Sequence, residues 1–154
     1  MNRMNKAFTL VEILIVVIIL GILAAIVIPQ FTQASNDARD SSITSNLQTI
    51  RSALALYRVQ HGDKFPEAAK FEAQMTGKTD ASGAAGGTLG PYLPSIPANP
   101  VTGVKTVTTG AEKPAAGIAA GGWFYCSSGT TDAASNIYAY DDGKTTSGTL
   151  HVEL

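Results

Sequence analysis

The chain has 154 residues, with 11 Lys and Arg against 12 Asp and Glu, so its formal net charge is -1. This length suits one modest domain, and the charge balance excludes a general nucleic-acid binder, which needs a strong basic excess. The single cysteine, Cys126, excludes an internal disulfide and a thiolate-bound metal cluster. The only two histidines, His61 and His151, are far apart, which argues against a histidine-based catalytic or metal site.

The N-terminal part of the chain is suited to lipid. Residues 8–28 are apolar except for Thr9 and Glu12, and as a helix they would span about 30 Å, the thickness of a bilayer core. Arg3 and Lys6 precede this run, so the positive-inside rule keeps the N-terminus in the cytoplasm. In a bacterium with two membranes, the following residues would then be periplasmic. The alternatives are a cleaved secretory signal, with a shorter apolar core, and a plain signal anchor.

Glu12 is the unusual residue of this apolar run. A carboxylate inside a membrane segment costs roughly 2.5–3.5 kcal/mol on insertion scales, so a partner is expected. The uncleaved sequence offers none nearby within the run, whereas a new α-amino group at Phe8 would lie four residues earlier on the same helical face. The alternative is that Glu12 complements the helix N-terminal dipole, which is worth at most about 1 kcal/mol. The two roles are compatible.

The segment KAFTLVE, residues 6–12, resembles the prepilin cleavage and methylation motif of type IV pilins and type II secretion pseudopilins. The resemblance implies that a prepilin peptidase cuts between Ala7 and Phe8 on the cytoplasmic side, and that Phe8 is then N-methylated. The family usually has Gly before the cut. Ala7 is small enough for a tight protease subsite, so we expect cleavage.

The same resemblance implies how the chain assembles. Methylation keeps the positive charge of the Phe8 amine, and Glu12 of an incoming subunit would pair with the Phe8 ammonium of a subunit already in the filament. A low-dielectric setting strengthens this attraction and penalises a missing partner. The implied partners are identical copies in a helical filament, the prepilin peptidase and methyltransferase, an inner-membrane assembly platform and other pseudopilins.

After the apolar run, the sequence predicts a kink and then an amphipathic helix. Pro29 has no N–H and should weaken the helix, and the family uses this place for a bend. From about residue 30 to 60, apolar residues recur at alternating steps of four and three, which places them on one stripe. We expect the stripe to pack on a sheet of the same chain, although a coiled-coil dimer is an alternative. The stripe consists of Ile43, Leu47, Ile50, Leu54 and Tyr57.

The helix is predicted to end at His61 and Gly62, since glycine is favoured after a helix and a histidine complements its C-terminal dipole. A role for His61 as a catalytic base is disfavoured. The order of Tyr57, Gly62 and the Phe65–Pro66 pair resembles the end of the long helix in major pseudopilins.

The next region is rich in glycine and proline. Residues 67–76 could form a short helix, and residues 77–122 are predicted to be mostly loop. Within this loop, residues 90–103 resemble the pseudopilin segment that leads into the sheet, with Asn99 where the family usually has an acidic residue. The alternative is a rigid loop with no special role.

Three short strands are predicted at the C-terminal end, at residues 123–126, 136–140 and 149–154. They predict a small antiparallel sheet packed on the helix stripe. Many type IV pilins close this region with a disulfide, which one cysteine cannot form, and this favours a pseudopilin. Major pseudopilins often bind calcium here, and the candidate ligands are Asp132, Asn136, Asp141 and Asp142. A plain turn is the alternative, and no other cofactor is expected.

Together, these features predict an α+β, pilin-like fold with five segments. They are a cleaved leader (1–7), a transmembrane and assembly half-helix (8–28), an amphipathic half-helix (29–61), a connecting region (62–122) and a sheet (123–154). The resemblance implies a structural subunit of a periplasmic pseudopilus of the type II secretion system, anchored in the inner membrane by a single span. The alternative is a type IV pilin of a surface filament for adhesion, motility or DNA uptake. A membrane-anchored enzyme is disfavoured because no catalytic constellation is found.

Overall fold

The computed structural model describes residues 8–110, 121–126 and 137–140, and the remaining residues are not discussed structurally. Two helices, α1 (Leu10–Gln60) and α2 (Phe71–Thr76), are followed by strands β1 (Val107–Gly110), β2 (Trp123–Cys126) and β3 (Ile137–Ala139), and a turn of 3₁₀ helix (Ala68–Lys70) precedes α2. This order confirms the α+β, pilin-like class. The chain divides into two compact units, Met1–Asn36 and Asp37–Leu154. The five predicted segment boundaries stay predictions.

In the second unit, α1 forms the centre of the core. All five residues of the predicted stripe are buried, and Ile43, Leu47, Ile50 and Leu54 are fully inaccessible to solvent. They pack with Phe71 and Met75 of α2, with Leu93 and Ile96 of the connecting region and with residues of the sheet. The stripe therefore packs on its own chain, as the alternating spacing predicted.

The C-terminal end of α1 is fixed by a Schellman motif. The N–H of Asp63 donates to the carbonyl of Arg58 at 2.9 Å, and Gly62 adopts a positive φ of 63°. This conformation favours glycine, because a Cβ would clash with the backbone. The Asp63 carboxylate also pairs with Nε of Arg58 at 3.1 Å. The helix end predicted at His61 and Gly62 is confirmed.

The sheet is mixed, with β2 between β1 and β3. The β2–β3 pair is antiparallel, as predicted, with Tyr125 opposite Ile137. However, β1 pairs with β2 in parallel, with Val107 opposite Trp123. The prediction of a wholly antiparallel sheet is therefore corrected, and the predicted loop contains a strand. The sequence of β1 is Val-Thr-Thr-Gly, whose β-branched residues favour a strand. This short run of β-branched residues lies in a region rich in glycine and proline, and that composition favoured the prediction of a loop. The strand predicted at residues 149–154 lies outside the described residues.

The two faces of β2 have different roles. Trp123 and Tyr125 belong to the core, together with Ile137 and Ala139 of β3. Phe124 lies between them in sequence and, by strand alternation, points to the opposite face. There its ring meets the ring of Tyr140 edge-on, with centroids 5.3 Å apart. Trp123 and Tyr125 therefore pack with the helix stripe, whereas Phe124 lies on the other face of the sheet.

The connecting region is held by side chains that donate to its backbone carbonyls. We call these side chains the carbonyl anchors, and each comes from a helix or from β2. Because a buried carbonyl without a donor costs about 1–3 kcal/mol, these bonds help to fix the loops. The bonds run from Asn46 to Ala98 (3.3 Å), Gln74 to Gly83 (2.9 Å), Trp123 to Pro97 (2.7 Å) and Tyr125 to Pro66 (2.9 Å).

Candidate assembly site at the N-terminal helix

Thr9 and Glu12 form a reciprocal cap at the start of α1. The backbone N–H and the hydroxyl of Thr9 both donate to Oε2 of Glu12, each at 2.9 Å. In return, the N–H of Glu12 donates to Oγ1 of Thr9 at 3.2 Å. Thr9 immediately precedes the helix and Glu12 is its third residue, which is the arrangement of a capping box. The box satisfies N–H groups that a helix start otherwise leaves without acceptors.

This geometry corrects one expectation about Glu12. The apolar run does hold a partner for the carboxylate, since Thr9 supplies two donors. The reason is local, because residues at the N-cap and third position of a helix lie within hydrogen-bond reach. The partner is neutral, however, and Glu12 is the only ionisable side chain within residues 8–36. The predicted charge partner, a Phe8 ammonium, requires cleavage after Ala7.

The predicted cleavage site lies at the edge of the described chain. Phe8 precedes the helix and is 83% exposed, whereas Ala7 is outside the described residues. In the uncut chain, the nitrogen of Phe8 belongs to a peptide bond and carries no charge. Cleavage between Ala7 and Phe8, methylation of Phe8 and its pairing with Glu12 therefore stay predictions.

The first unit leaves apolar side chains exposed along α1. Large aliphatic residues are exposed on every side of this helix, with Ile13, Ile18 and Leu23 each more than half accessible. In the part of the chain that the structure describes, α1 is the one helix long and apolar enough to cross a membrane. A helix that is apolar all round needs lipid or other apolar helices as its neighbours.

Pro29 lies inside α1, which continues through it. Because proline has no N–H, the carbonyl of Ala25 lacks its usual helical donor at this position. The predicted kink at Pro29 stays a prediction.

His61 is buried, stacked and hydrogen-bonded at the end of α1. It is only 3% exposed, and its ring stacks on Tyr57 with centroids 3.7 Å apart. Nδ1 lies 2.8 Å from the Tyr57 carbonyl, which can only accept, so we assign the proton to Nδ1. Nε2 lies 3.1 Å from the hydroxyl of Thr79. With both nitrogens engaged, the ring ties the end of α1 to the following loop.

Asn99 is fully buried at the turn that precedes β1. Its Nδ2 donates to the carbonyl of Gly122 at 2.9 Å, and its Oδ1 accepts from the N–H of Val101 at 2.8 Å. This site therefore uses both the donor and the acceptor of the amide, whereas an ionised carboxylate at the same position could only accept.

The candidate calcium ligands lie outside the described residues, namely Asp132, Asn136, Asp141 and Asp142. Within residues 8–110, 121–126 and 137–140, no group of three or more His, Cys, Asp or Glu is arranged to hold a metal ion.

An apolar N-terminal helix with a carboxylate in its first turn, followed by a small α+β domain, is the arrangement that the resemblance to type IV pilin-like proteins implies. The family model of the prokaryotic N-terminal methylation motif matches residues 2–28. The chain therefore has the N-terminal region of this class, which confirms the resemblance inferred from residues 6–12.

Curated relatives are similar over part of the chain. The type II secretion system core protein G of Pseudomonas aeruginosa is 38% identical over 60 residues, 39% of this chain and 42% of that protein. The type IV narrow pilus major component PilA5 of Thermus thermophilus is 40% identical over 55 residues, 36% of this chain and 47% of that protein. The type IV major pilin protein PilE1 of Neisseria gonorrhoeae is 39% identical over 67 residues, 44% of this chain and 40% of that protein.

The similarity thus spans less than half the length of these curated relatives. No solved structure matches the chain.

Proposed function

We propose that this chain is a structural subunit of a filament, is trimmed and methylated at Phe8, and polymerises through α1. The observation that carries the proposal is the start of α1, where an exposed apolar helix holds one carboxylate, Glu12, and residues 8–36 contain no positively charged side chain. Lipid can accommodate the aliphatic side chains before assembly, and copies of the same helix can accommodate them afterwards. The amine created at Phe8 supplies the missing charge.

The particular filament that we propose is a periplasmic pseudopilus of the type II secretion system. The core protein G of Pseudomonas aeruginosa supports this choice, as does the single cysteine, which cannot form the disulfide that closes many type IV pilins. In this proposal the leader faces the cytoplasm, the residues after α1's apolar half are periplasmic, and the partners are the prepilin peptidase, the assembly platform and other pseudopilins. The protein is not an enzyme.

A type IV pilin is the second candidate, and the similarity to PilA5 and PilE1 favours it. Deleting the gene separates the two candidates. A pseudopilin deletion abolishes export of secreted enzymes and leaves surface filaments in place. A pilin deletion removes surface filaments and leaves export intact. A hydrolytic activity of the purified protein would instead favour the membrane-anchored enzyme.

The experiment that tests the assembly site compares Glu12→Ala with Glu12→Gln. Glutamine keeps an acceptor for Thr9 but has no charge, so it retains the cap and removes the ion pair. We expect both variants to insert into the membrane at wild-type levels and both to lose at least about tenfold in filament yield, because each leaves the Phe8 ammonium unpaired in a low-dielectric setting.

Membrane levels are measured by immunoblotting, and filaments by shearing and electron microscopy. Normal filaments from Glu12→Gln would show that the cap, rather than the charge, is the essential part. Mass spectrometry of the native protein should show a methylated Phe8 as the first residue. A native protein that still carries residues 1–7 would contradict the proposal.

Calcium binding is part of the same proposal, with Asp132, Asn136, Asp141 and Asp142 as the ligands. Carboxylate and amide oxygens are the ligands that calcium prefers. We expect added calcium to raise the melting temperature and a chelator to lower it. An unchanged melting temperature would rule calcium out.

A further inference from the structure

The capping box at the start of α1 occupies two backbone donors that a longer helix would need. A helix that began one turn earlier, with Asn5 as its N-cap, would require the N–H of Thr9 to donate to the carbonyl of Asn5. The same helix would require the N–H of Glu12 to donate to the carbonyl of Phe8. In the structure, the N–H of Thr9 donates to Oε2 of Glu12 at 2.9 Å, and the N–H of Glu12 donates to Oγ1 of Thr9 at 3.2 Å. The box therefore excludes the turn before α1 as well as completing the first turn of α1.

The scissile bond of the proposed function, between Ala7 and Phe8, belongs to the turn that the box excludes. The carbonyl of Thr9 accepts from the N–H of Ile13 at 3.4 Å, which identifies Thr9 as the N-cap, and α1 begins at Leu10. Phe8, whose nitrogen is part of the scissile bond, therefore precedes the helix and is exposed. In a helix that began one turn earlier, the same bond would lie within the first turn.

The residue types before Phe8 do not end a helix by themselves. Ala7 has the highest helix propensity of any residue, and Met4 and Lys6 are also good helix formers. Asn5 is by type a better N-cap than threonine, so it offers a competing start for the helix. Where a glycine precedes the cut, as is usual in the prepilin family, its low helix propensity opposes the longer helix on its own. With Ala7 at this position, the start of the helix depends on the box.

We infer that Thr9 is a positioning residue for leader cleavage, because its box with Glu12 keeps the scissile bond outside the helix. This inference rests on the proposed function, in which a prepilin peptidase hydrolyses that bond. The C–N bond breaks, the oxygen of water joins Ala7 as part of a carboxylate, and both protons of the water leave on the Phe8 nitrogen, which becomes an ammonium. A carbonyl inside a helix is hydrogen-bonded to the next turn, so the peptidase reaches it only when that turn is open. The cleavage rate then follows the population of chains in which the turn is open.

Pulse-chase labelling of the full chain, in cells that contain the prepilin peptidase, measures the cleavage rate. Thr9→Ala removes both hydrogen bonds of the Thr9 hydroxyl and introduces the residue with the highest helix propensity, so we expect the rate to fall at least about threefold. Thr9→Ser keeps a hydroxyl at the same place, so its rate should stay within about twofold of wild type. Wild-type cleavage of Thr9→Ala would overturn the inference and leave the proposed function standing. A wild-type chain that is never cut at this bond would overturn the proposed function, and the inference with it.

The variant Ala7→Gly separates positioning from a direct contact between Thr9 and the peptidase. Glycine opposes the longer helix on its own, so the box is no longer needed to keep the scissile bond accessible. In the Ala7→Gly background, Thr9→Ala should therefore change the cleavage rate by less than about 1.5-fold. An equal loss in both backgrounds would overturn the inference, because Thr9 would then act on the peptidase itself and not through the start of the helix.

Amide hydrogen exchange of the uncut chain in detergent micelles measures the start of the helix directly. Leu10 and Val11 are the first two residues of α1, so their N–H groups have no acceptor within the helix. In the longer helix they would donate to the carbonyls of Lys6 and Ala7. We expect Thr9→Ala to slow exchange at both positions at least several-fold. Unchanged exchange at Leu10 and Val11 would overturn the inference.

Discussion

Asn99 offers a sharp test of how the connecting region is held. Asn99→Asp changes a single NH₂ group to oxygen at a fully buried site. The bond from Nδ2 to the Gly122 carbonyl, 2.9 Å long, is lost, and an ionised carboxylate would face that carbonyl instead. The lost bond costs about 1–1.5 kcal/mol, and the buried charge opposite a carbonyl adds roughly 1–3 kcal/mol. We therefore expect Asn99→Asp to lower the free energy of unfolding by about 2–4 kcal/mol at pH 7.

The same substitution has a defined pH dependence. Burial and the Gly122 carbonyl both disfavour the charged form, so the pKa of the introduced carboxyl lies above its unfolded value of about 3.9. A group with a raised folded-state pKa contributes stability that is present below the unfolded pKa and lost as the pH rises through the folded pKa. The difference between Asn99→Asp and wild type should thus be smallest in acid, where the protonated carboxyl can donate to Gly122.

Unfolding in urea, followed by fluorescence of the single, buried Trp123, measures this difference at pH 4 and pH 7. Asn36→Asp is the matched control, because it makes the same chemical change at an exposed position and should alter stability by less than about 0.5 kcal/mol. Equal stability of Asn99→Asp and wild type at pH 7 would refute the assigned hydrogen bonds.

Three further predictions follow from the described contacts. Tyr125→Phe should cost about 1 kcal/mol, because the Pro66 carbonyl loses its donor. Burial raises the pKa of Tyr125, so the contribution of this hydroxyl to the free energy of unfolding is complete below about pH 10 and is lost at higher pH. The Tyr125→Phe variant should therefore lose less stability in alkali than wild type does. Urea unfolding of both proteins at pH 8 and pH 11 measures this difference. Gly83→Ala should cost about 1–3 kcal/mol, because φ is 88° and a Cβ would lie 2.8 Å from Nε2 of Gln74; an unchanged melting temperature would contradict this. Thr9→Val should weaken the first turn of α1 by about 1 kcal/mol and reduce filament yield; assembly at the wild-type level would show that the cap is dispensable.

The residues that the sequence predicted well are those whose signal is local. The alternating spacing from Ile43 to Tyr57 identified the buried face of α1 because helical geometry alone decides which residues share a face. The end of α1 before Gly62 was predictable for a similar reason, because the preference of glycine for a positive φ depends on that residue alone. The aromatic run at β2 was long enough to indicate a strand.

The residues that sequence reasoning missed depend on distant partners or on weak signals. The bond from Tyr125 to Pro66 joins residues 59 positions apart, and no local pattern reports it. The strand at Val107–Gly110 is four residues long and is surrounded by turn formers. The cap between Thr9 and Glu12 was detectable, because a threonine three residues before a glutamate and ahead of an apolar run is a helix-start signature.

The carbonyl anchors have a consequence for how this protein can vary. Each anchor binds a main-chain oxygen of the connecting region, and every amino acid carries that atom. The outward-facing side chains of these loops can therefore change without loosening their attachment, provided that the donors on the helices and on β2 remain. The exposed surface of these loops could therefore change while the hydrogen bonds that hold the loops to the helices and to β2 are kept.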